Sequence, residues 1–477
     1  MIELKPDQEV TVAKLRKRMG QGVRSILLRG EVGSGKTVMT SYIASKIIEK
    51  GNTFMMVAPR RVLVEQISDT FKNFGINHSF VAAGYKYRQD SSAWVASLDT
   101  LIGRLNHITI PSVVAIDETH HGSVGLDTVI RFFKSKGCWI IGLSATPWKL
   151  SGKGLGCWYD DMVHGPSMKE LIAMGRLSDY RPFSPSKVDL KGLRSQSGDY
   201  AKNQLNDRFG NDKKLIGDIV GHYKKHALGK LGITFAVSID ASKRLAQAYR
   251  DAGVPAMHID GTTPDDDRKK IIRAYARREL HQLTNCNLLS FGFDLSSASG
   301  GMDVTIECMS DGTPTMSLSN QRQKWGRVLR KKDQPALIFD HVNNFEEHGY
   351  PDDDIDWTLE DREKKKRNDD GERLLPVRTC PECQFSHRPT PSCPNCGFTY
   401  PVIGRDLEQV EGELHEIQIR QEKKEKRMEV GKARTPQEKI AIEKERGYKK
   451  GWAYNQCLAT RIISREMTFY DFYKRYS

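Results

Sequence analysis

At 477 residues, 38% apolar and 28% charged, the chain has material for roughly three globular domains, and no run of about 18 uncharged apolar residues offers a membrane span. Its first residues, MIELKPDQEV, lack the basic and then apolar regions of a secretory signal, so a cytoplasmic protein with no membrane partner is expected. Lys and Arg number 74 against 60 Asp and Glu, a surplus of +14 that favours polyanionic partners without specifying a fold.

Up to about residue 345, short β-branched runs alternate with helical patterns, the signature of parallel α/β units whose strands are buried on both faces. The expected strands are Ser25–Arg29, Thr53–Val57, Val113–Ile116 and Trp139–Leu143, then Ile233–Val237, Ala256–Ile259, Val304–Cys308 and Ala336–Asp340. A polar stretch rich in Gly, Ser and Lys separates the two series. The resulting expectation is an α/β domain over 1–175, a connecting segment over 176–228 and a second α/β domain over 229–358. A charged linker over 359–375, a cysteine module over 376–400 and a helical basic tail over 401–477 complete the order.

Gly30-Glu31-Val32-Gly33-Ser34-Gly35-Lys36-Thr37 fits G-x-x-x-x-G-K-[ST] at each fixed position, after one expected strand and at the head of an expected helix. Glycines let backbone N–H groups wrap phosphate oxygens, and the helix N-terminus adds its positive end. Gly33, Ser34 and Gly35 are expected to cradle the phosphates of ATP, Lys36 to reach the β/γ-phosphates, and Thr37 to take a place on Mg²⁺. Further on, Val113-Val114-Ala115-Ile116-Asp117-Glu118-Thr119-His120 reads as an apolar strand ending in two acids, at the sheet edge where open α/β folds bind ligands. Asp117 is expected in the Mg²⁺ shell and Glu118 as the group that orients the attacking water. Gln323-Lys324-Trp325-Gly326-Arg327-Val328-Leu329-Arg330 then supplies Arg327 and Arg330 at i and i+3, expected on one helix face. Paired guanidinium groups from a second domain suit the charge on a transferring γ-phosphoryl group, and imply a cleft that closes on nucleotide.

Of nine cysteines, four crowd into Cys380-Pro-Glu-Cys383 and Cys393-Pro-Asn-Cys396. Two tight C-x-x-C turns present four thiolates, which fill a tetrahedral Zn²⁺ shell with no open position, so the site is expected to be structural. His387, between the pairs, is expected to face solvent. In the tail, Lys449, Lys450, Trp452, Tyr454, Arg461, Arg465, Tyr470, Tyr473, Lys474, Arg475 and Tyr476 interleave cations with aromatics. That mixture suits phosphate contact with base stacking, and equally a small helical core.

In this order the motifs resemble those of superfamily 2 helicases and translocases over roughly residues 3–345. The resemblance implies two tandem RecA-like domains, and it implies a role for Gln8 in Leu4-Lys5-Pro6-Asp7-Gln8 in recognising adenine. Ala58-Pro59-Arg60 and Ser97-Leu98-Asp99-Thr100 resemble the elements that touch a nucleic-acid backbone, which points to Arg60 and Thr100. Ser144-Ala145-Thr146-Pro147 matches the motif linking hydrolysis to domain movement, and Asp117-Glu118-Thr119-His120 is a DExH form of the acidic motif. Gly292-Phe293-Asp294 resembles the fifth motif, in which Asp294 faces the nucleotide, and Gln323 to Arg330 matches the sixth. The stretch from Gly142 to Leu150 and the cysteine module are similar to the RadD-like group of bacterial and phage DNA helicases. That likeness implies ATP-driven movement on, or unwinding of, single-stranded or branched DNA in replication, recombination or repair. A single-strand-binding or replication protein is the partner it suggests. An annealing or protein-displacing remodeller and an RNA-directed motor stay open as alternatives.

Overall fold

The computed structural model describes residues 3–401 and 433–476, apart from 60, 150, 186–187, 197, 287–294, 296–301, 303, 362–376, 434, 460–461 and 465–466. Contacts divide the chain into two units, Met1–Tyr400 and Pro401–Ser477.

Two parallel sheets organise the larger unit. The first comprises β1 (Ser25–Arg29), β2 (Phe54–Ala58), β3 (Ser79–Val81), β4 (Ala93–Ser97), β5 (Val113–Ile116), β6 (Trp139–Ser144) and β7 (Asp161–His164), in the order β3-β4-β2-β5-β6-β1-β7. Every pairing in it is parallel, and the central strands are buried throughout, as a sheet covered by helices on both faces requires. Because β6 lies between β1 and β5, the loop after β1 and the acids after β5 emerge side by side at the carboxyl edge. The second sheet joins β8 (Tyr180–Phe183), β11 (Gly232–Phe235), β12 (Ala256–Ile259), β13 (Gln282–Asn285), β14 (Cys308–Asp311) and β15 (Ala336–Asp340), in the order β12-β13-β11-β14-β15-β8. Between β8 and β11 a short hairpin pairs β9 (Ser195–Gln196) with β10 (Asp199–Tyr200). The two sheets and their helices are the two RecA-like lobes.

Three differences from the sequence reading have physical causes. The strand expected at Val304–Cys308 begins only at Cys308, while Val304 and Ile306 are buried ahead of it; their β-branching reports burial, not pairing. The segment 176–228 is more than a connection: Tyr180–Phe183 becomes the edge strand beside β15, and the Lys213–Ala227 helix packs Leu215, Ile219 and Tyr223 into the second lobe's core. β13 escapes an apolar search because Gln282, Thr284 and Asn285 are polar; inside the sheet Gln282 accepts from Thr234 Oγ1 (3.1 Å) and Asn285 donates to the Thr234 carbonyl (3.2 Å).

The expected linker also begins as ordered structure. The Gly156 N–H donates to the Leu359 carbonyl (2.9 Å), Trp148 Nε1 to the Glu360 carbonyl (2.9 Å) and Gly154 N–H to Asp361 Oδ1 (2.9 Å), which straps the chain leaving the second lobe back onto the first. The cysteine module then pairs β16 (Arg378–Thr379) with β17 (Ser386–His387). Phe183 of β8 bridges to Phe385, and the Ser184 N–H donates to the Gln384 carbonyl (3.0 Å), so the module is attached at the edge of the second sheet as a separate two-stranded sheet.

In the smaller unit, helices Pro436–Glu445, Trp452–Ala459 and Phe469–Tyr476 enclose Ile440, Ala453, Cys457, Ile463 and Phe472. Buried Glu443 accepts from the Tyr473 hydroxyl and from the N–H groups of Gly451 (3.2 Å) and Ala453 (2.8 Å). Trp452, Tyr454, Tyr473 and Tyr476 pack against this core, and Tyr470 stands 74% exposed. Of the two uses left open for the tail aromatics, core building describes those four. Arg461 and Arg465 lie outside the described residues.

Candidate nucleotide cleft and cysteine centre

A cleft of about 400 Å³ lies between the two lobes. Its lining includes Gly33, Gly35, Lys36 and Thr37 from the phosphate loop and Asp117 and Glu118 from the end of β5. From the second lobe come Gln323, Arg327 and Arg330. These nine residues share one cavity lined from both lobes, while Gln8 and Ser34, also singled out for ATP, are not part of its lining.

Local backbone geometry explains the loop. Gly33 (φ 87°) and Gly35 (φ 81°) occupy the left-handed region that favours glycine, and Gly35 caps the helix Lys36–Ile48. A Cβ on Gly35 would fall 2.4 Å from Gln8 Nε2, and one on Gly33 3.0 Å from Leu177. Gln8 itself donates to the Ser34 carbonyl (3.0 Å) and accepts from the Lys5 N–H (3.1 Å), bracing the loop from a buried position outside the cleft lining. Lys36 Nζ rests on the carbonyls of Gly30 (3.0 Å) and Glu31 (3.4 Å), and the buried Ser34 Oγ has no hydrogen-bond partner among the described residues. Bare glycine backbone, a roomy cavity, an ammonium resting on backbone carbonyls and a hydroxyl without a partner among the described residues together fit a polyphosphate.

Glu118 adopts φ 46° and ψ 47°, a left-handed conformation costly for a residue with a Cβ and of the sort found at functional turns. Burial and the charge of Glu118 push Asp117 up to about 7. Burial opposes ionisation of Glu118 too, but Lys36 and the Gln323 amide hold it below the ordinary carboxylate range. Two half-buried carboxylates that line the cleft together with Thr37 are hard oxygen donors short of positive charge, a set that fits Mg²⁺ through Thr37 and Asp117.

A hydrogen-bonded chain leads from this pair to the other lobe. His120 is buried, and burial with the charge of His121 lowers its pKa to about 3, so it is neutral. Its Nδ1–H lies 3.2 Å from Glu118 Oε2 and 2.9 Å from Ser144 Oγ. Ser144 donates to the Thr146 carbonyl (2.6 Å), and Thr146 Oγ1 donates to Ser319 Oγ (2.8 Å) on the helix Leu318–Val328. From the same helix Gln323 Nε2 approaches both Glu118 oxygens at 3.3 and 3.4 Å.

One expectation needs correcting. The helix ends at Val328, so Arg330 does not share a helical face with Arg327; it forms a bridge with Leu177 and reaches the cleft from there. Thr100 sits on the short helix Leu98–Ile102, where its hydroxyl accepts from Ser97 Oγ (2.9 Å), away from the cleft lining. Arg60 and Asp294 lie outside the described residues. The sequence reading missed Arg176, which pairs with Asp7 and lines the cleft, and it missed Glu31 and Arg322. A signal for Arg322 existed: Ser319, Arg322, Gln323, Gly326 and Arg327 follow the three-and-four spacing of one helix face.

The sulfurs of Cys380, Cys383, Cys393 and Cys396 all lie within 4.8 Å of one another, with Cys380–Cys396 at 3.6 Å and Cys383–Cys393 at 3.7 Å. Tetrahedral zinc with bonds of about 2.3 Å places its sulfurs about 3.8 Å apart, so the donor set fits that ion. Each C-x-x-C turn is closed by a residue of positive φ, Gln384 (60°) and Gly397 (76°), and Asn395 Nδ2 donates to Cys383 Sγ (3.3 Å). Contrary to expectation, His387 is buried, 6% exposed: Nδ1 donates to the Arg388 carbonyl (2.7 Å) and Nε2 accepts the Tyr400 hydroxyl (2.7 Å). An imidazole with protein partners at both nitrogens anchors the module and has no need of water.

Comparison with known proteins gives a consistent picture. The family described as type III restriction enzyme, res subunit, matches residues 1–149. A 51.5 kDa protein of a Lactococcus phage is 30% identical over 411 residues, which are 83% of this chain and 85% of that protein. Irc3 of Schizosaccharomyces pombe, named as an inferred mitochondrial ATP-dependent helicase, is 23% identical over 72% of this chain, which spans 58% of its length. Among solved structures, the ATP-dependent type ISP restriction-modification enzyme LlaBIII bound to DNA matches with a TM-score of 0.52 at 12% identity, over 71% of this chain and 27% of that one. At that identity the last match shows the fold alone.

Proposed function

The chain belongs to the family of the 51.5 kDa phage protein and to the superfamily 2 DExH-type helicases, and from that premise we propose an ATP-dependent DNA helicase or translocase. The observation that carries this reading is the interlobe cleft, in which a lysine-bearing loop, two acids and two arginines converge from separate lobes. Lys36, Arg327 and Arg330 supply positive charge around the γ-phosphoryl group as its bond to the β-phosphate oxygen breaks. Glu118, braced by Gln323, orients the water that attacks phosphorus. Thr37 and Asp117 would hold Mg²⁺, which neutralises charge across the β- and γ-phosphates when bound. Two of the charges come from the second lobe, so hydrolysis and lobe movement are coupled, and a nucleic acid lying across both lobes would be moved by each cycle. Cys380, Cys383, Cys393 and Cys396 would hold a structural Zn²⁺.

The match to the restriction-enzyme res-subunit family supports DNA as the track, and the cysteine module supports the RadD-like placement. The test is ATPase activity with single-stranded DNA, branched DNA and RNA, for the wild type and Lys36→Ala. The expected outcome is stimulation by DNA, with hydrolysis in Lys36→Ala reduced by about 10²-fold or more while DNA binding persists. Equal hydrolysis in the two proteins would overturn the reading, and preference for RNA would move it to an RNA-directed motor.

A further inference from the structure

Glu31, an unconstrained position of the phosphate-loop motif, is fully buried, and Arg322 of the second lobe is 2% exposed. The Glu31 carboxylate is paired with Arg29 on its own lobe. Arg322 grips it from across the cleft with two prongs, Nη2 to Oε1 at 2.7 Å and Nε to Oε2 at 3.3 Å. The Trp357 ring, on the strap between the lobes, covers both guanidinium groups at 4.7 and 5.5 Å. Burial lowers Arg29 to about 9 and Arg322 to about 10, which leaves both charged at neutral pH.

A buried ion pair gains little stability over well-packed apolar side chains, so stability alone does not account for this one. Its position does. The backbone carbonyl of the same Glu31 faces Lys36 Nζ at 3.4 Å, so holding the side chain of Glu31 also holds a seat of the catalytic ammonium. One helical turn beyond Arg322, Gly326 lies on Val32, where an added Cβ would come within 2.2 Å. The helix Leu318–Val328 thus fastens two consecutive residues of the loop.

We infer that Arg322 is a positioning residue of the nucleotide site: acting through Glu31, it makes the gripping shape of the phosphate loop conditional on docking of the second lobe. The inference rests on the ATPase reading of the cleft. When the lobes separate, Glu31 keeps only Arg29, and the loop loses the grip that fixes it from above. Nucleotide affinity is thereby linked to lobe closure at a residue that does not itself line the phosphate cleft.

The test uses the full chain as wild type, Arg322→Lys and Arg322→Met, with steady-state ATPase, titration by a fluorescent non-hydrolysable ATP analogue, and heat unfolding of each. Arg322→Met is expected to raise KM and the analogue Kd by about tenfold or more with kcat changed by less than about threefold, the pattern of lost uniform binding. Arg322→Lys keeps the charge but not the fork and is expected to fall between. Wild-type Kd and KM in a folded Arg322→Met overturn the inference, as does a kcat loss at unchanged Kd, which would place Arg322 in the chemistry. Should Arg322→Met fail to fold, Arg322→Lys decides: a raised Kd supports the inference and a wild-type Kd overturns it. Failure of the underlying reading shows separately, as equal hydrolysis by wild type and Lys36→Ala.

Discussion

The second lobe meets its neighbours in two contrasting ways. Apart from the close approach of Gly326 to Val32, its helix Leu318–Val328 touches the first lobe through polar side chains: Ser319 on Thr146, Gln323 on Glu118, Arg322 on Glu31. Its edge strand β8 instead takes the cysteine module by backbone pairing at Phe183 and Ser184, by Phe183 against Phe385 at 5.5 Å, and by an Arg181–Asn395 contact. Polar side chains exchange protein partners for water at small net cost, so the first contact can open and close. A backbone bridge with aromatic burial loses apolar contact that water does not replace, so the module is expected to travel with the second lobe. One lobe thus carries a reversible face and a permanent one.

Gly326→Ala should break the reversible face with the largest effect. Alanine is favoured over glycine inside a helix by about 1 kcal/mol, so the helix itself gains. The new Cβ nevertheless lands 2.2 Å from Val32 Cβ, which forces the lobes apart by a fraction of their contact distance. Misplacement on the order of 1 Å costs about 10²-fold in rate, and that drop in ATPase with an undiminished melting temperature is the expected result. Full activity would show that the lobes hydrolyse ATP without this close approach.

Cys380→Ser combined with Cys383→Ser attacks the permanent face. Zinc binding contributes about 10–16 kcal/mol of folding energy in small metal modules, so metal analysis should show zinc lost and hydrogen exchange should show residues 377–400 unprotected. The first lobe, which shares no ligand with this centre, should keep its protection. A uniform loss across both lobes would mean the module supports the whole motor.

How much of this was legible beforehand depended on what each residue pairs with. The phosphate loop, the two acids and the cysteine pairs carry their chemistry in local spacing, so Lys36, Asp117 and Cys380 could be found one segment at a time. Glu31 and Arg322 could not, because their meaning is a contact between residues 291 positions apart. The end of the motif helix at Val328 was hidden for a similar reason: the pairing of Arg330 with Leu177 outcompetes another helical turn, and no local propensity announces it. β8 and β13 were missed because a strand of Tyr-Arg-Pro-Phe or Gln-Leu-Thr-Asn shows no apolar run; its place in the sheet supplies what its sequence lacks.

The smallest effect, and the finest probe of the reversible face, belongs to Thr146→Val. Valine keeps the shape of threonine and removes only the donor to Ser319 Oγ, leaving the Thr146 N–H on Ser144 Oγ (3.2 Å) and the His120–Ser144 link in place. The acids therefore keep their surroundings, and the loss falls on the join between lobes. One hydrogen bond is worth about 1 kcal/mol, so closure should weaken by about fivefold, visible as reduced stimulation of the ATPase by DNA with unstimulated hydrolysis nearly intact. Ser319→Ala should do the same, and the double variant should add little to either alone, because both remove one shared contact. If the two losses add in full, the Thr146–Ser319 contact carries no coupling and the chain from Glu118 to the second lobe ends at Ser144.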